Sequence, residues 1–388
     1  MMGIKLLKIK LNILYFILYS TVACFYPFLT MYFQMRGIPY YKIGILYAVN
    51  SLISIIALPI WGVISDKYSG KRKVIFITMI LCSILILLFL FTKSFEAILF
   101  SLIIFMTFQS PILSITDAYC YEIIEKNKGL QFGKIRLMGS LGYAIAALLL
   151  GILIKKLGIE FSFISYSILM LCTILILKTI KFKGKRTRIP IDFYDISKLI
   201  RDKKFVLIVI SAMFASISMG ANGNYISILI QKTGGDVSKL GIVWFVIAMS
   251  ELPFLFLGNK IMKKTGVLNL YIIGILFFVI RFFLSSQCTS YNAVILVQFM
   301  QSITFPLYLL TTIEYININS TSNLKTSALT AFTALAGGLG GLLGNIGGGF
   351  ILQIKDIFFL YKVLGISCII SLIVALILKK YDKDVKSL

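Results

Sequence analysis

Apolar runs of about 20 residues, separated by short polar gaps, recur along the whole chain. A first set covers residues 11–34, 43–65, 74–92, 97–119, 133–154 and 161–179, and a second covers 205–231, 239–258, 267–286, 291–313, 326–353 and 357–378. A hydrocarbon layer of about 30 Å needs roughly 20 helical residues at a rise of 1.5 Å each. Each run therefore predicts one membrane-crossing α-helix, twelve in all. Between the sets, 181–204 carries Lys183, Lys185, Arg186, Arg188, Pro190, Asp192 and Asp195 and is too polar to insert. The pattern predicts an all-α membrane protein with an N-terminal six-helix bundle over 1–180, a cytoplasmic linker over 181–204 and a C-terminal six-helix bundle over 205–388.

The two sets echo each other at a nearly constant spacing. Gly241 follows Gly44 by 197 residues, Gly258 follows Gly62 by 196, and Glu314 follows Asp117 by 197. The Gly139-Ser-Leu-Gly142 run returns as Gly337-Gly-Leu-Gly340, 198 residues on. Such registry implies two pseudo-symmetric repeats, the plan of transporters whose halves rock about a central cavity.

Charge changes the picture only in orientation. The formal net charge of +24 would suggest nucleic acid in a soluble protein, but a mean hydropathy of +0.95 and 59% apolar residues exclude one. The basic residues fall in the gaps: 28 Lys and Arg on the side of the termini and 9 on the other, with Arg136 and Arg281 inside runs. The positive-inside rule then places both termini in the cytoplasm, with anionic lipids as partners of the basic face and no nucleic acid. Lys5, Lys8 and Lys10 precede a run too long for a signal-peptide core, which reads as the first span. Six scattered cysteines and no histidine leave no metal or disulfide pattern. No nucleophile elbow or cofactor motif is present, so an enzyme is not expected, nor a cofactor.

Charges inside spans cost about 2.5–3.5 kcal/mol each on insertion scales and usually line a cavity or pair. Asp117 and Arg136 stand on consecutive antiparallel helices, and Tyr143 lies two turns from Arg136 on the same face. Either this pair binds solute or it anchors helix ends at the interface. Glu251 and Arg281 interrupt the eighth and ninth spans and are expected to pair, for switching and binding or as a structural contact. Gln298, Gln301 and Thr304 are spaced by three along one face of the tenth span and can hydrogen-bond a solute, but carry no proton at neutral pH. Asn50, Ser54, Gln109, Asn222, Asn224 and Asn345 either line the cavity or bridge helices. The glycines from Gly337 to Gly349 predict a close-packing, deformable helix face.

The loop after the second span reads Gly62-Val-Ile-Ser-Asp66-Lys67-Tyr-Ser-Gly70-Lys71-Arg72, and Gly258 to Gly266 repeats its spacing with Met262 in place of the acid. This resembles the loop signature of the major facilitator superfamily. In it Gly62 is expected to permit close helix contact, Asp66 to pair with neighbouring helix ends, and Lys67, Lys71 and Arg72 to hold the loop at the cytoplasmic surface. Asp117-Ala-Tyr followed by Phe132-Gly133-Lys134-Ile135-Arg136 and a glycine-rich helix is similar to the branch that contains lactose permease and the phenylpropionate and nucleoside permeases. That resemblance implies Arg136 as the solute-contacting arginine, Asp117 as its carboxylate partner, Tyr143 as the stacking aromatic, Glu251 in solute binding or coupling, and Arg281 in proton coupling. Tyrosine stands where the lactose permease has tryptophan. The tenth span departs further: Gln301 and Thr304 replace the histidine and the proton-bearing glutamate of the pattern. A coupling proton would then use Asp117, Glu251 or Glu314, the last of which lies near the cytoplasmic end and reads more readily as a helix-end charge.

The expectation is a monomeric, multi-pass protein of a bacterial plasma (inner) membrane. It would carry a small polar or aromatic solute (a sugar, nucleoside or aromatic acid) by alternating access in symport with a proton or other cation. The alternative is a transporter-like sensor or assembly protein without net transport.

Overall fold

The computed structural model describes residues 2–127, 129–180, 182, 201–320 and 325–386. The expected linker, with its Lys183 to Asp195 charges, lies almost wholly outside the described residues. Among the described residues all regular structure is helical, and twelve helices are long and apolar enough to cross a membrane. They are α1 (Ile4–Met35), α2 (Tyr40–Lys67), α3 (Lys71–Phe91), α4 (Phe95–Lys126), α5 (Phe132–Leu157), α6 (Phe161–Thr179), α7 (Lys203–Lys232), α8 (Val237–Gly258), α9 (Val267–Ser285), α10 (Tyr291–Asn319), α11 (Ala328–Ile354) and α12 (Ile357–Asp382). A helix closes its own backbone hydrogen bonds, which lipid cannot do for it. Phe91, Phe100, Leu175, Leu296 and Ile373 stand more than half exposed, as lipid-facing residues do.

The repeat seen in the sequence is visible in the packing. α1 lies on α5 and α6 as α7 lies on α11 and α12, and α3 lies on α4 and α6 as α9 lies on α10 and α12. Prolines sit inside α2 and α4 (Pro59, Pro111) and again inside α8 and α10 (Pro253, Pro306), each removing one ladder bond. The glycine-rich start of α11 winds as a π-helix over Thr333–Leu339, which agrees with a deformable segment.

Contacts divide the chain into two units. One comprises Met1–Ile38, Val49–Ile189 and Asp236–Met249; the other comprises Pro39–Ala48, Pro190–Gly235 and Ser250–Leu388. The start of α2 thus packs with α7 and α11, and the start of α8 packs with α5. In the second unit a Cβ on Gly44 would meet the Asn345 carbonyl oxygen at 2.7 Å, and one on Gly349 would meet the Gly44 Cα at 2.8 Å. In the first unit a Cβ on Gly241 would meet the Ala147 carbonyl oxygen at 2.5 Å and the Gly151 Cα at 3.1 Å. Gly241 lies 197 residues after Gly44, and Gly349 lies 198 after Gly151, so both crossings are one contact made twice. Only glycine lets the backbones approach so closely.

The loop motif works differently from expectation at its first glycine. Among the described residues a Cβ at Gly62 would meet nothing within 4 Å, so glycine provides no close helix contact there among them. The conformational demand lies at Gly70, with φ of 77°, and at its echo Gly266, with φ of 81°, where a side chain would strain the backbone. Lys71 Nζ bridges Asp66 Oδ1 and Glu122 Oε1, both at 2.7 Å, tying the loop to α4. Arg72 donates to the Lys178 carbonyl at 3.1 Å and so caps the end of α6, while Lys67 is exposed.

Candidate functional site

The first cluster is built on α1, α4 and α5, within one unit. Tyr15 and Tyr19 are one helical turn apart on α1 and stack at 6.2 Å. Tyr15 Oη donates to Asp117 Oδ1 at 2.7 Å. The Arg136 guanidinium lies over the Tyr19 ring, 3.9 Å from its centroid. Gly139 makes room for that stack, since a Cβ there would meet Tyr19 at 2.6 Å and Arg136 Nη1 at 3.1 Å. A second layer of rings, Phe132 edge-on to Tyr15 and stacked on Tyr121, closes the side toward the α4–α5 loop.

Asp117 and Arg136 share this cluster but do not meet. Among the described residues no ion pair joins them, and the guanidinium has no hydrogen-bond acceptor; each charge is held by a tyrosine instead. Neither side chain is fully buried. The expected direct pair is thus corrected to two charges set side by side, each with hydrogen-bonding capacity turned to something other than its neighbour. Sequence reasoning misses Tyr15 and Tyr19, because tyrosines in an apolar run read as core.

Tyr143, two turns along α5 from Arg136, meets the indole of Trp244 from the start of α8, edge to face at 6.1 Å. The expected stacking aromatic therefore has an aromatic partner of its own.

The second cluster is built on α8, α9 and α10, within the other unit. Arg281 is fully buried. Its Nη2 donates to Gln298 Oε1 at 2.6 Å, and its Nη1 donates to Gln301 Oε1 and, at 3.1 Å, to Thr304 Oγ1. The helical run of α10 breaks at Met300, between the two glutamines, and α-helix resumes at Gln301. Gln301 then reaches onward, its Nε2 donating to Glu251 Oε1 at 3.1 Å. The expected Glu251 to Arg281 contact is carried through this amide. Gln298 is fully buried, with its second polar end directed at Ser285 Oγ, so it holds Arg281 in place. A buried guanidinium needs several acceptors, and α10 supplies neutral ones.

The remaining polar residues of the spans mostly bridge helices. Tyr166 donates to Gln109, Tyr361 to Asn222 at 2.8 Å, and Asn224 to Asn345 at 2.7 Å, while Tyr225 donates to the Asn345 carbonyl at 2.7 Å. Ser54 bonds the Asn50 carbonyl of its own helix. No group of histidine, cysteine or carboxylate side chains among the described residues could hold a metal ion.

A profile of the MFS_1 like family matches residues 8–363. An uncharacterized transporter of Bacillus subtilis, YwbF, is 25% identical over 92% of this chain and 90% of its own. A maltose permease of Geobacillus stearothermophilus is 21% identical over 97% of this chain and 95% of its own. The crystal structure of a nucleoside transporter, NupG, superposes with a TM-score of 0.86 at 17% identity, covering 97% of this chain and 99% of that one.

Proposed function

The chain belongs to the MFS_1 like family of major facilitator transporters, and from that premise we propose that it moves a ring-bearing, oxygen-rich solute, a sugar or a nucleoside, by proton-coupled alternating access. The observation that carries the reading is the Asp117 and Arg136 arrangement: opposite charges side by side, braced by Tyr15 and Tyr19 and not consumed by each other. A carboxylate accepts from solute hydroxyls and a guanidinium donates to solute oxygens. The similarity to a maltose permease supports a sugar among these solutes. Gln301 joins Glu251 to Arg281, which supports Glu251 as the coupling carboxylate and Arg281 as its counter-charge. Both termini are assigned to the cytoplasm of a bacterial inner membrane, the basic face lying against anionic lipid.

Purified protein in liposomes tests this with an imposed pH gradient and labelled maltose, lactose, uridine and 3-phenylpropionate. Accumulation of a sugar or nucleoside above equilibrium, abolished by a protonophore, is the expected result. Thermal stabilisation by a solute without any flux would instead assign the chain as a sensor, the reading favoured by the loss of titratable groups in α10.

Alternating access requires the α2–α11 and α5–α8 crossings to form and part once per cycle. Gly44→Leu and Gly241→Leu place a side chain against backbone, which cannot give way without moving a helix. Overpacking costs about 1–3 kcal/mol, so each variant is expected to lower uptake about tenfold or more. The double variant should stop uptake while still binding solute, read by thermal shift.

In the connection between α7 and α8, Asp236 Oδ2 meets Lys155 Nζ from the last turn of α5 at 2.7 Å. Hydrogen bonding from Lys155, and then from Ser238, holds the Asp236 carboxyl well below the usual carboxylate range. A depressed carboxylate keeps its proton off above the ordinary value, and the pair is lost only as pH falls through the lowered one. Asp236 therefore stays ionised where the transporter works, and Asp236→Asn is expected to leave the shape of the uptake pH profile unchanged.

A further inference from the structure

We propose that Trp244 is a solute-binding residue whose indole N–H donates to an oxygen of the transported molecule, at the far end of a site that begins at Arg136. The assignment rests on the transport reading above and adds to it the size and chemistry of the solute. Its first support is an unmet donor. Trp244 Nε1 is buried and has no hydrogen-bond acceptor among the described residues. Buried donors are rarely left so, and such a donor is met by ordered water or by a ligand. The chain's other tryptophan, Trp61, behaves as expected, donating Nε1 to the Thr107 carbonyl at 2.8 Å.

The second support is position. Trp244 follows Gly241 by less than one turn of α8, and the Gly241 contact with Ala147 and Gly151 fixes that stretch against α5. The indole is therefore held with little freedom to turn toward another acceptor. Its neighbour is the edge or face of Tyr143, and a ring is a weak acceptor at best. If packing alone were needed, phenylalanine would fill the place without stranding a donor.

The third support is the row it completes. Arg136 and Tyr143 share a face of α5, seven residues or about 10 Å apart. A guanidinium donor at one end, an aromatic face beside the other and a neutral N–H donor there describe a solute about two rings long with acceptor oxygens at both ends. A disaccharide or a nucleoside has that form; a single-ring acid carries its acceptors at one end only.

Trp244→Phe keeps a ring against Tyr143 and removes only the N–H. In liposomes, with whichever of maltose, lactose or uridine the wild type accumulates, KM is expected to rise about tenfold, the loss of one hydrogen bond, with Vmax within about twofold. An unchanged KM overturns the assignment. Trp61→Phe leaves Trp244 as the sole indole, and saturating solute should then shift its emission with a midpoint equal to KM. No shift at saturation overturns it too, even where Trp244→Phe fails to fold. The transport reading stands or falls on wild-type uptake, and the role of Trp244 on these variants alone.

Discussion

Arg136→Ala is expected to abolish solute binding and bring uptake to about 1% of wild type or less, while the protein remains folded. The guanidinium rests on Tyr19 with no acceptor among the described residues, and in the proposed site its donors serve the solute. Hydrogen bonds to a charged group are worth about 1.5–3 kcal/mol each, and two of them to one solute exceed a hundredfold in affinity. Arg136→Lys separates charge from geometry: it keeps the cation but loses the planar fork and its fit on the ring, so most of the loss should persist. Asp117→Asn should act in parallel, because Tyr15 can still donate to the amide oxygen while the anionic acceptor is gone. Equilibrium binding, monitored beside the size-exclusion profile and melting temperature, checks both. Wild-type affinity in Arg136→Ala and Asp117→Asn would remove them from the site.

How much of this is legible in the sequence follows from what each feature depends on. The spans are legible because lipid imposes length and hydropathy on every helix, and the repeat because Gly44 and Gly241 answer to the same crossing in each half. Arg136, Asp117, Glu251 and Arg281 stand out because a charge in an apolar run needs a reason. Their partners do not. That Tyr19 and not Asp117 meets Arg136 is decided by how α1 rotates against α5, which Gly139 and Gly142 permit but do not announce. Gln301 is visible as a hydrogen-bonding residue, yet its place between Glu251 and Arg281 depends on the break at Met300. Glu122 reads as one more loop acid, and only the fold brings it to the Lys71 ammonium that also holds Asp66.

Glu251→Gln is expected to disconnect solute movement from the proton gradient, the largest change that one substitution can make to coupling. In the chain Arg281, Gln301, Glu251, the central amide accepts from the cation and donates to the anion, so each end biases its orientation. Protonating Glu251 removes the negative charge that draws the Gln301 amide, and the carboxyl gains a donor of its own. The amide then has no electrostatic reason to keep its direction, and the neutral partners of Arg281 on α10 must satisfy the guanidinium without it. A glutamine at position 251 fixes something close to that protonated state at every pH. Solute exchange between equal pools should therefore continue, while accumulation driven by a pH gradient falls to the equilibrium level and uptake loses its pH dependence. Exchange and gradient-driven uptake measured on the same liposomes separate these outcomes. Uphill accumulation with the wild-type pH profile in Glu251→Gln would place the coupling proton elsewhere, with Asp117 the carboxylate to test next.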